Sequence, residues 1–270
     1  MPDAGHAASF PWKGAVIGVD AVVGGLAVAQ RVFWTRPAKP PETPVGPSVE
    51  PSATKSAGPP LLPCRAGMAR MAGGEQIEPF CLDVREVSVK DFAACVKTGK
   101  CTAAGTTGNW GAVTAEEKTQ RNATCNGGRT DRAEHPVNCV DHPQAEAYCE
   151  AQSKRLPSEA EWQWAAHGGG AKWKHPWGNE QPDIQLCWSA FTKRTSTCAV
   201  GSYPKGANGW GILDLEGNVR EWVATGAGAE RMLCGSDWTD KADSISTAGN
   251  CGQAPRTSKA SFVGFRCASN

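Results

Sequence analysis

Twelve cysteines constrain this chain more than any other feature. Their number is even, and all lie in its later part, as Cys64, Cys81, Cys95, Cys101, Cys125, Cys139, Cys149, Cys187, Cys198, Cys234, Cys251 and Cys267. Usage of this kind belongs to an oxidising compartment, where thiols become cross-links. Zinc ligation is the competing reading, but no C-x-x-C pair occurs and no cysteine stands at a zinc-finger spacing from a histidine. Disulfides are the better account. Sequence does not prove the pairing, yet several neighbours can close short loops: Cys64 with Cys81, Cys95 with Cys101, Cys125 with Cys139, Cys187 with Cys198, and Cys234 with Cys251. Cys149 and Cys267 are then left as a long-range staple, which in the chain-entropy picture contributes about 4 kcal/mol or more.

The chain falls into three stretches. In residues 1–36, Lys13 precedes an apolar run from Gly14 to Ala29, followed by Arg31 and a further patch from Val32 to Trp34. The triplet Ala27, Val28, Ala29 before Gln30 argues for a cleaved signal peptide, and extension through Trp34 argues for an uncleaved membrane anchor. Asp20 weakens both readings and keeps a disordered cytosolic tail as a third. Residues 37–63 carry nine prolines and few large apolar residues, the composition of a semi-rigid polyproline spacer, with a ligand for a proline-binding module as the sharper alternative. Residues 64–270 are the folded domain. They contain no internal repeat.

Charge excludes some partners. With 28 Lys and Arg against 27 Asp and Glu, the net charge of +1 gives no electrostatic reason to expect nucleic acid or an anionic membrane surface. The 31 glycines, 19 prolines and 11 tryptophans predict a turn-rich α+β domain with little regular secondary structure and aromatic side chains in its core. Phe80 to Val84 reads as a strand. Ser88 caps a helix reaching Lys97 with Phe92, Ala93 and Val96 as its apolar stripe, and Gly99 stops it. Pro143 opens a second helix carrying Ala145, Ala147, Tyr148 and Cys149. Ser158 and Glu161 form a capping box for a third, which Gly168 to Gly170 end. Gly211 to Leu215, Val219 to Val223 and Phe262 to Cys267 read as brief strands or loops.

Four ordered motifs are more specific: Arg155-Leu-Pro-Ser-Glu-Ala-Glu-Trp162, Pro176-Trp-Gly-Asn179, Gly209-Trp-Gly-Ile-Leu-Asp-Leu-Glu-Gly-Asn-Val-Arg-Glu-Trp222 and Gly264-Phe-Arg-Cys267. With Phe80-Cys-Leu-Asp83, Glu86-Val87 and His135-Pro-Val137 upstream, the chain from Cys64 onwards resembles the formylglycine-generating enzyme (sulfatase-modifying factor) family. The resemblance implies an elaborated C-type-lectin-like fold with few helices, short strands and long structured loops. It also implies a bridge between Cys149 and Cys267.

In the enzymes of that family, two cysteines beside a Gly-Gly-Ser-Tyr/Trp motif bind copper and oxidise a substrate cysteine with dioxygen. Aligning Cys234-Gly-Ser-Asp-Trp238 on this motif puts Asp240 and Ile245 at the copper positions and Asp237 at the motif serine. Neither position offers the soft thiolate that Cu(I) prefers, so no copper is expected. Iron held by two histidines and a carboxylate is a weaker option, because His6, His135, His142, His167 and His175 sit at scattered loop and helix-end positions. The resemblance further implies calcium held by Asp214, Glu216, Gly217, Val219 and Glu221, with Asp214 and Glu221 as side-chain ligands. The blander alternative has Asp214 and Asn218 satisfying turn backbone and Glu221 pairing with an arginine. A second calcium site of the family, before Trp188, has Leu186 where an Asn side chain belongs.

The expected function is noncatalytic: a binding or scaffold domain on the periplasmic or extracellular side of a bacterial envelope. Its ligand, a protein or a glycan, would meet the loops around Trp188, Trp210, Asp237 and Asp240. Trp162, Trp177 and Trp222, inside the fold-defining motifs, are expected in the core. The rival is an oxidoreductase of the same superfamily, metal- and oxygen-dependent, acting on a protein or small-molecule thiol. A purely structural envelope protein is a third class.

Overall fold

The computed structural model describes residues 63–189, 194–241, 245 and 250–270. The export or anchor segment and nearly all of the spacer lie outside the described residues, within which no helix is long and apolar enough to cross a membrane. In chain order the elements are β1 (Met68–Met71), β2 (Phe80–Asp83), α1 (Val89–Lys97), α2 (Ala115–Asn122), α3 (His142–Ala151), α4 (Glu159–Ala166), β3 (Arg220–Trp222), β4 (Glu230–Cys234), β5 (Cys251–Pro255), β6 (Val263–Gly264) and β7 (Ala268–Ser269).

Side-chain caps set the helix starts. The Ser88 hydroxyl accepts from Asp91 N at 3.2 Å at the head of α1, and Thr98 closes that helix before Gly99, which turns the chain at φ 73°. The buried stripe of α1 is Val89, Phe92 and Cys95, one step away from the expected Phe92, Ala93 and Val96, because Cys95 must face inward to bridge Cys101. At α4 the capping box is complete: Glu161 N donates to Ser158 Oγ at 3.2 Å and Ser158 N donates to Glu161 Oε2 at 2.7 Å. Helix α2 has the same device on Thr114 and Glu117 but buries no residue at all. Lacking an apolar stripe, it gives no periodic signal in the sequence.

Two small sheets follow the orders β1-β2-β7 and β5-β4-β3-β6. All pairs are antiparallel except β3 with β6. The stretch from Gly211 to Leu215 forms no strand; Leu213 N makes one bond to Val84 O at 2.9 Å. The C-terminal segment enters the four-stranded sheet as β6 and leaves as β7 of the three-stranded one. Between these strands lie Phe265, Arg266 and Cys267, each 1% exposed or less. The expected Trp162 and Trp222 are both fully buried, each at 0% exposure. Trp177, expected with them, is only half-buried and stacks on His175 at 5.0 Å between ring centroids.

All twelve cysteines are bridged, in the pairs Cys64–Cys81, Cys95–Cys101, Cys125–Cys139, Cys149–Cys267, Cys187–Cys198 and Cys234–Cys251. Five of the loops close over 6 to 17 residues, whereas Cys149–Cys267 closes over 118 and ties α3 to the segment that joins the sheets. Loop-closure entropy makes that bridge worth about 5 kcal/mol, against about 2 kcal/mol for Cys95–Cys101. Urea unfolding should therefore show C149A/C267A losing at least twice the stability that C95A/C101A loses.

Candidate functional site

The segment from Asp214 to Trp222 is built around buried charge. Gly217 and Asn218 take left-handed backbone at φ 83° and 56°, which turns the chain sharply before β3 and aims Glu221 inward. There Arg266 donates Nε and Nη2 to Glu221 Oε1 at 3.0 and 2.6 Å, and Nε also reaches Oε2 at 2.8 Å. Trp162 Nε1 adds a bond to Oε2 at 2.8 Å. Arg266 Nη1 and Nη2 also hold the carbonyls of Asp83 and Leu213. Glu86, buried beside this pair, accepts from Asn218 Nδ2 at 2.7 Å. Burial, and then the charges of Asp214 and Glu221, push its carboxyl well above the usual range and favour the neutral acid.

These contacts test the calcium expectation. Asp214 Oδ2 accepts from Gly201 N at 2.5 Å, Glu216 Oε2 pairs with His175 Nδ1 at 2.8 Å, and Glu221 is taken by Arg266 and Trp162. Gly217 and Val219 turn their backbone N–H groups to Ser236 Oγ and Glu86 Oε1. Among the described residues no three His, Cys, Asp or Glu side chains converge to hold a metal ion. The cation among these carboxylates is Arg266, and the residues do not fit a calcium site. Asn218 Oδ1 and Asp214 Oδ2 serve the backbone of Cys198 and Gly201, which is the blander reading. Four histidines are likewise engaged separately: His135 with Thr197, His142 with the Val223 carbonyl, His167 with the Trp173 carbonyl and His175 with Glu216. His6 lies outside the described residues.

The loop from Asp237 to Asp240 is closed by an ion-pair clamp. Arg220 donates Nε to Asp237 Oδ2 at 2.9 Å and Nη2 to Asp240 Oδ2 at 3.0 Å. Asp237 N closes the loop onto Asp240 Oδ2, while Asp237 Oδ1 accepts from Thr239 N and Oγ1. Asp237 is 3% exposed, so burial and then the Asp240 charge raise its carboxyl above the ordinary value despite Arg220. Ile245, half-buried, contributes only a backbone bond to Lys241 O. Cys234 and Cys251 face each other across β4 and β5 in a bridge.

Trp238 and Thr239, between the two clamp acids, lie on an open groove of about 830 Å³, whose lining also includes Trp110, Arg121, Arg132, Arg194 and Phe262. Helix α2 supplies Arg121, which lies over the Trp110 ring at 5.5 Å. Arg132 Nη1 donates to Asn126 Oδ1 at 2.9 Å, and Arg194 is held by the Trp188 carbonyl and the Tyr203 hydroxyl.

The expected ligand surface is not assembled as such. Trp188 is 5% exposed with Nε1 on the Asp183 carbonyl, so it packs inside. Asp237 is buried in the clamp. Trp210 packs against Gly169 and the Trp164 side of the core, away from the groove lining. Trp210 and Asp240 are both partly buried. Arg220 and the groove arginines escaped the sequence reading. Arg220 had a usable signal, since two acids in a buried motif demand a cation and Arg220 lies within the adjoining motif.

An α+β scaffold of short strands and long bridged loops defines the class: a C-type-lectin-like domain. A family model described as the sulfatase-modifying factor enzyme 1-like domain matches residues 63–270, and the chain belongs to this family. The inactive C-alpha-formylglycine-generating enzyme 2 of Bos taurus is 30% identical over 236 residues, covering 72% of this chain and 78% of that protein. The formylglycine-generating enzyme of Mycobacterium tuberculosis is 41% identical over 107 residues, 35% of each chain. Among solved structures, PvdO from Pseudomonas aeruginosa matches with a TM-score of 0.54 at 20% identity, covering 76% of this chain and 91% of that one.

Three substitutions probe the buried charges. Glu221→Gln leaves Arg266 buried without its main partner and should cost about 3–5 kcal/mol in urea unfolding at neutral pH. Glu86→Gln replaces a group already driven toward neutrality and should cost about 1 kcal/mol. Arg220→Ala strands Asp237 and Asp240, and a loss of about 2 kcal/mol is expected at pH 7. The folded-state pKa of Asp237 is raised, so its protonation favours the native form. The R220A deficit should therefore shrink as pH falls through that raised value, whereas a deficit that grows on acidification would contradict the clamp.

Proposed function

We propose that this domain is a noncatalytic binding module of its family, displayed on the periplasmic or extracellular side of a bacterial cell envelope. The observation that carries the reading is the clamp: Arg220 offsets Asp237, at the expected motif serine, and Asp240, at one expected copper-cysteine position, so that neither offers sulfur. Two departures from the enzyme pattern, Asp237 and Asp240, share one cation, which supports a remodelled surface over a damaged active site. Complete cross-linking of twelve cysteines supports export to an oxidising compartment. The likeness to a relative named as inactive supports loss of catalysis. A protein or glycan ligand is bound through side chains exposed beside the clamp, with the proline-rich segment 37–63 as spacer.

Metal analysis of the domain purified under oxidising conditions, together with oxygen consumption on a cysteine peptide, tests this directly. After incubation with copper and removal of excess, no stoichiometric copper or iron should remain and no oxygen-dependent thiol oxidation should occur. Thiol titration in denaturant should find no free sulfhydryl. Stoichiometric copper or iron with oxygen uptake would establish the oxidoreductase reading instead.

A further inference from the structure

The described arginines differ in what holds them. Arg129, Arg155, Arg220 and Arg266 each pair with a carboxylate. Arg121, Arg132 and Arg194, the three that line the groove, have no carboxylate partner among the described residues; only neutral acceptors and aromatic rings hold them. The single acid on the lining is Glu117, so the groove carries three positive charges against one negative. Burial, and then the nearby Arg129 charge, hold the Arg132 guanidinium below its ordinary value, with the Asp131 charge acting the other way.

We propose that this groove binds an acidic oligosaccharide, a sugar chain bearing sulfate or carboxylate groups. Arg121, Arg132 and Arg194 engage its anions, and Trp110 and Phe262 receive its ring faces. The inference rests on the binding-module reading and specifies its ligand. Guanidinium forks match sulfate and carboxylate oxygens two at a time, and the bonds that already fix Arg132 and Arg194 lower the entropy lost on binding. Gln120, Thr124, Thr195, Thr239 and Ser261 add neutral donors and acceptors to the lining, the complement of a hydroxyl-rich ligand. A peptide that docked by strand addition would instead need a free strand edge. Beside β6, the Phe262 and Phe265 carbonyls are already taken by Arg220 N and Val87 N. The volume, about 830 Å³, falls within the range that holds a short oligosaccharide, about 300–1,000 Å³.

Calorimetric titration with a heparin-derived hexasaccharide, a neutral hexasaccharide and a hexaglutamate peptide, at physiological ionic strength, tests the proposal. The sulfated chain should bind, and the neutral chain should bind about tenfold more weakly or not at all. R121Q/R132Q should weaken the sulfated ligand by about tenfold or more. R65Q/R70Q removes equal charge from a separate cleft beside Ser153 and Asn270 and should change binding less than about twofold. Thermal unfolding establishes that the variants are folded. If the double variant is not, R121Q alone, on a helix with no buried residue, should weaken binding by about threefold. Hexaglutamate binding as tightly as the sulfated chain, an equal loss in R65Q/R70Q, or no binding of the sulfated chain overturns the proposal. Copper loading of the same preparation separates the two readings: a copper-free protein that ignores the sulfated chain refutes only the ligand, whereas a copper-loaded one refutes the binding-module function.

Discussion

The structure depends on one buried cation. Arg266 and Glu221 are both 0% exposed, and removing two charges from water is repaid only by close pairing and full hydrogen bonding. The surroundings meet that demand. One guanidinium reaches the carbonyl that ends β2, the carbonyl of Leu213 and the carboxylate on β3, while the α4 indole of Trp162 caps the carboxylate. Strands from both sheets and a helix are thus oriented about one planar group. Glu86 shows how tightly the balance is set. A second full negative charge at its position would exceed what Arg266 offsets, and the surroundings drive that carboxyl toward its neutral form.

The same rule, that buried acids require a cation, explains the loop where copper ligands stand in the enzymes of the family. Asp237 and Asp240 would repel each other if left alone, and Arg220 lies across both. Because Arg220 neighbours Glu221 on β3, alternation along the strand directs the two side chains to opposite faces. One three-residue strand therefore serves the buried hub on one side and the clamp on the other. The architecture of the family is retained, and salt bridges close this loop.

Much of this was legible in the sequence where local rules act alone. Ser88 and Ser158 fix helix starts through their own hydroxyls, and the six bridges match the pairs proposed from cysteine spacing. Helix α2 escaped because a helix without buried residues has no hydrophobic period. The hairpin of β4 and β5 escaped because partly buried strands of mixed character alternate poorly, and their register is pinned by the Cys234–Cys251 bridge. At the site, sequence located the departures at Asp237 and Asp240 but not their partner. Arg220 meets them only after β3 and the loop following β4 are brought together. Trp188 looked available because exposure is a property of tertiary packing, which a residue type does not carry.

Helix α2 has one more consequence. It lies between two stapled points, Cys101 and Cys125, and contributes nothing to the interior. Apart from Asn122, whose Oδ1 accepts from Gly108 N and Trp110 Nε1, its residues have no burial to preserve, so most substitutions there leave the scaffold's stability nearly untouched. Natural variation can rewrite that wall of the groove, and with it the molecule's preferences, while the cross-linked body stays unchanged.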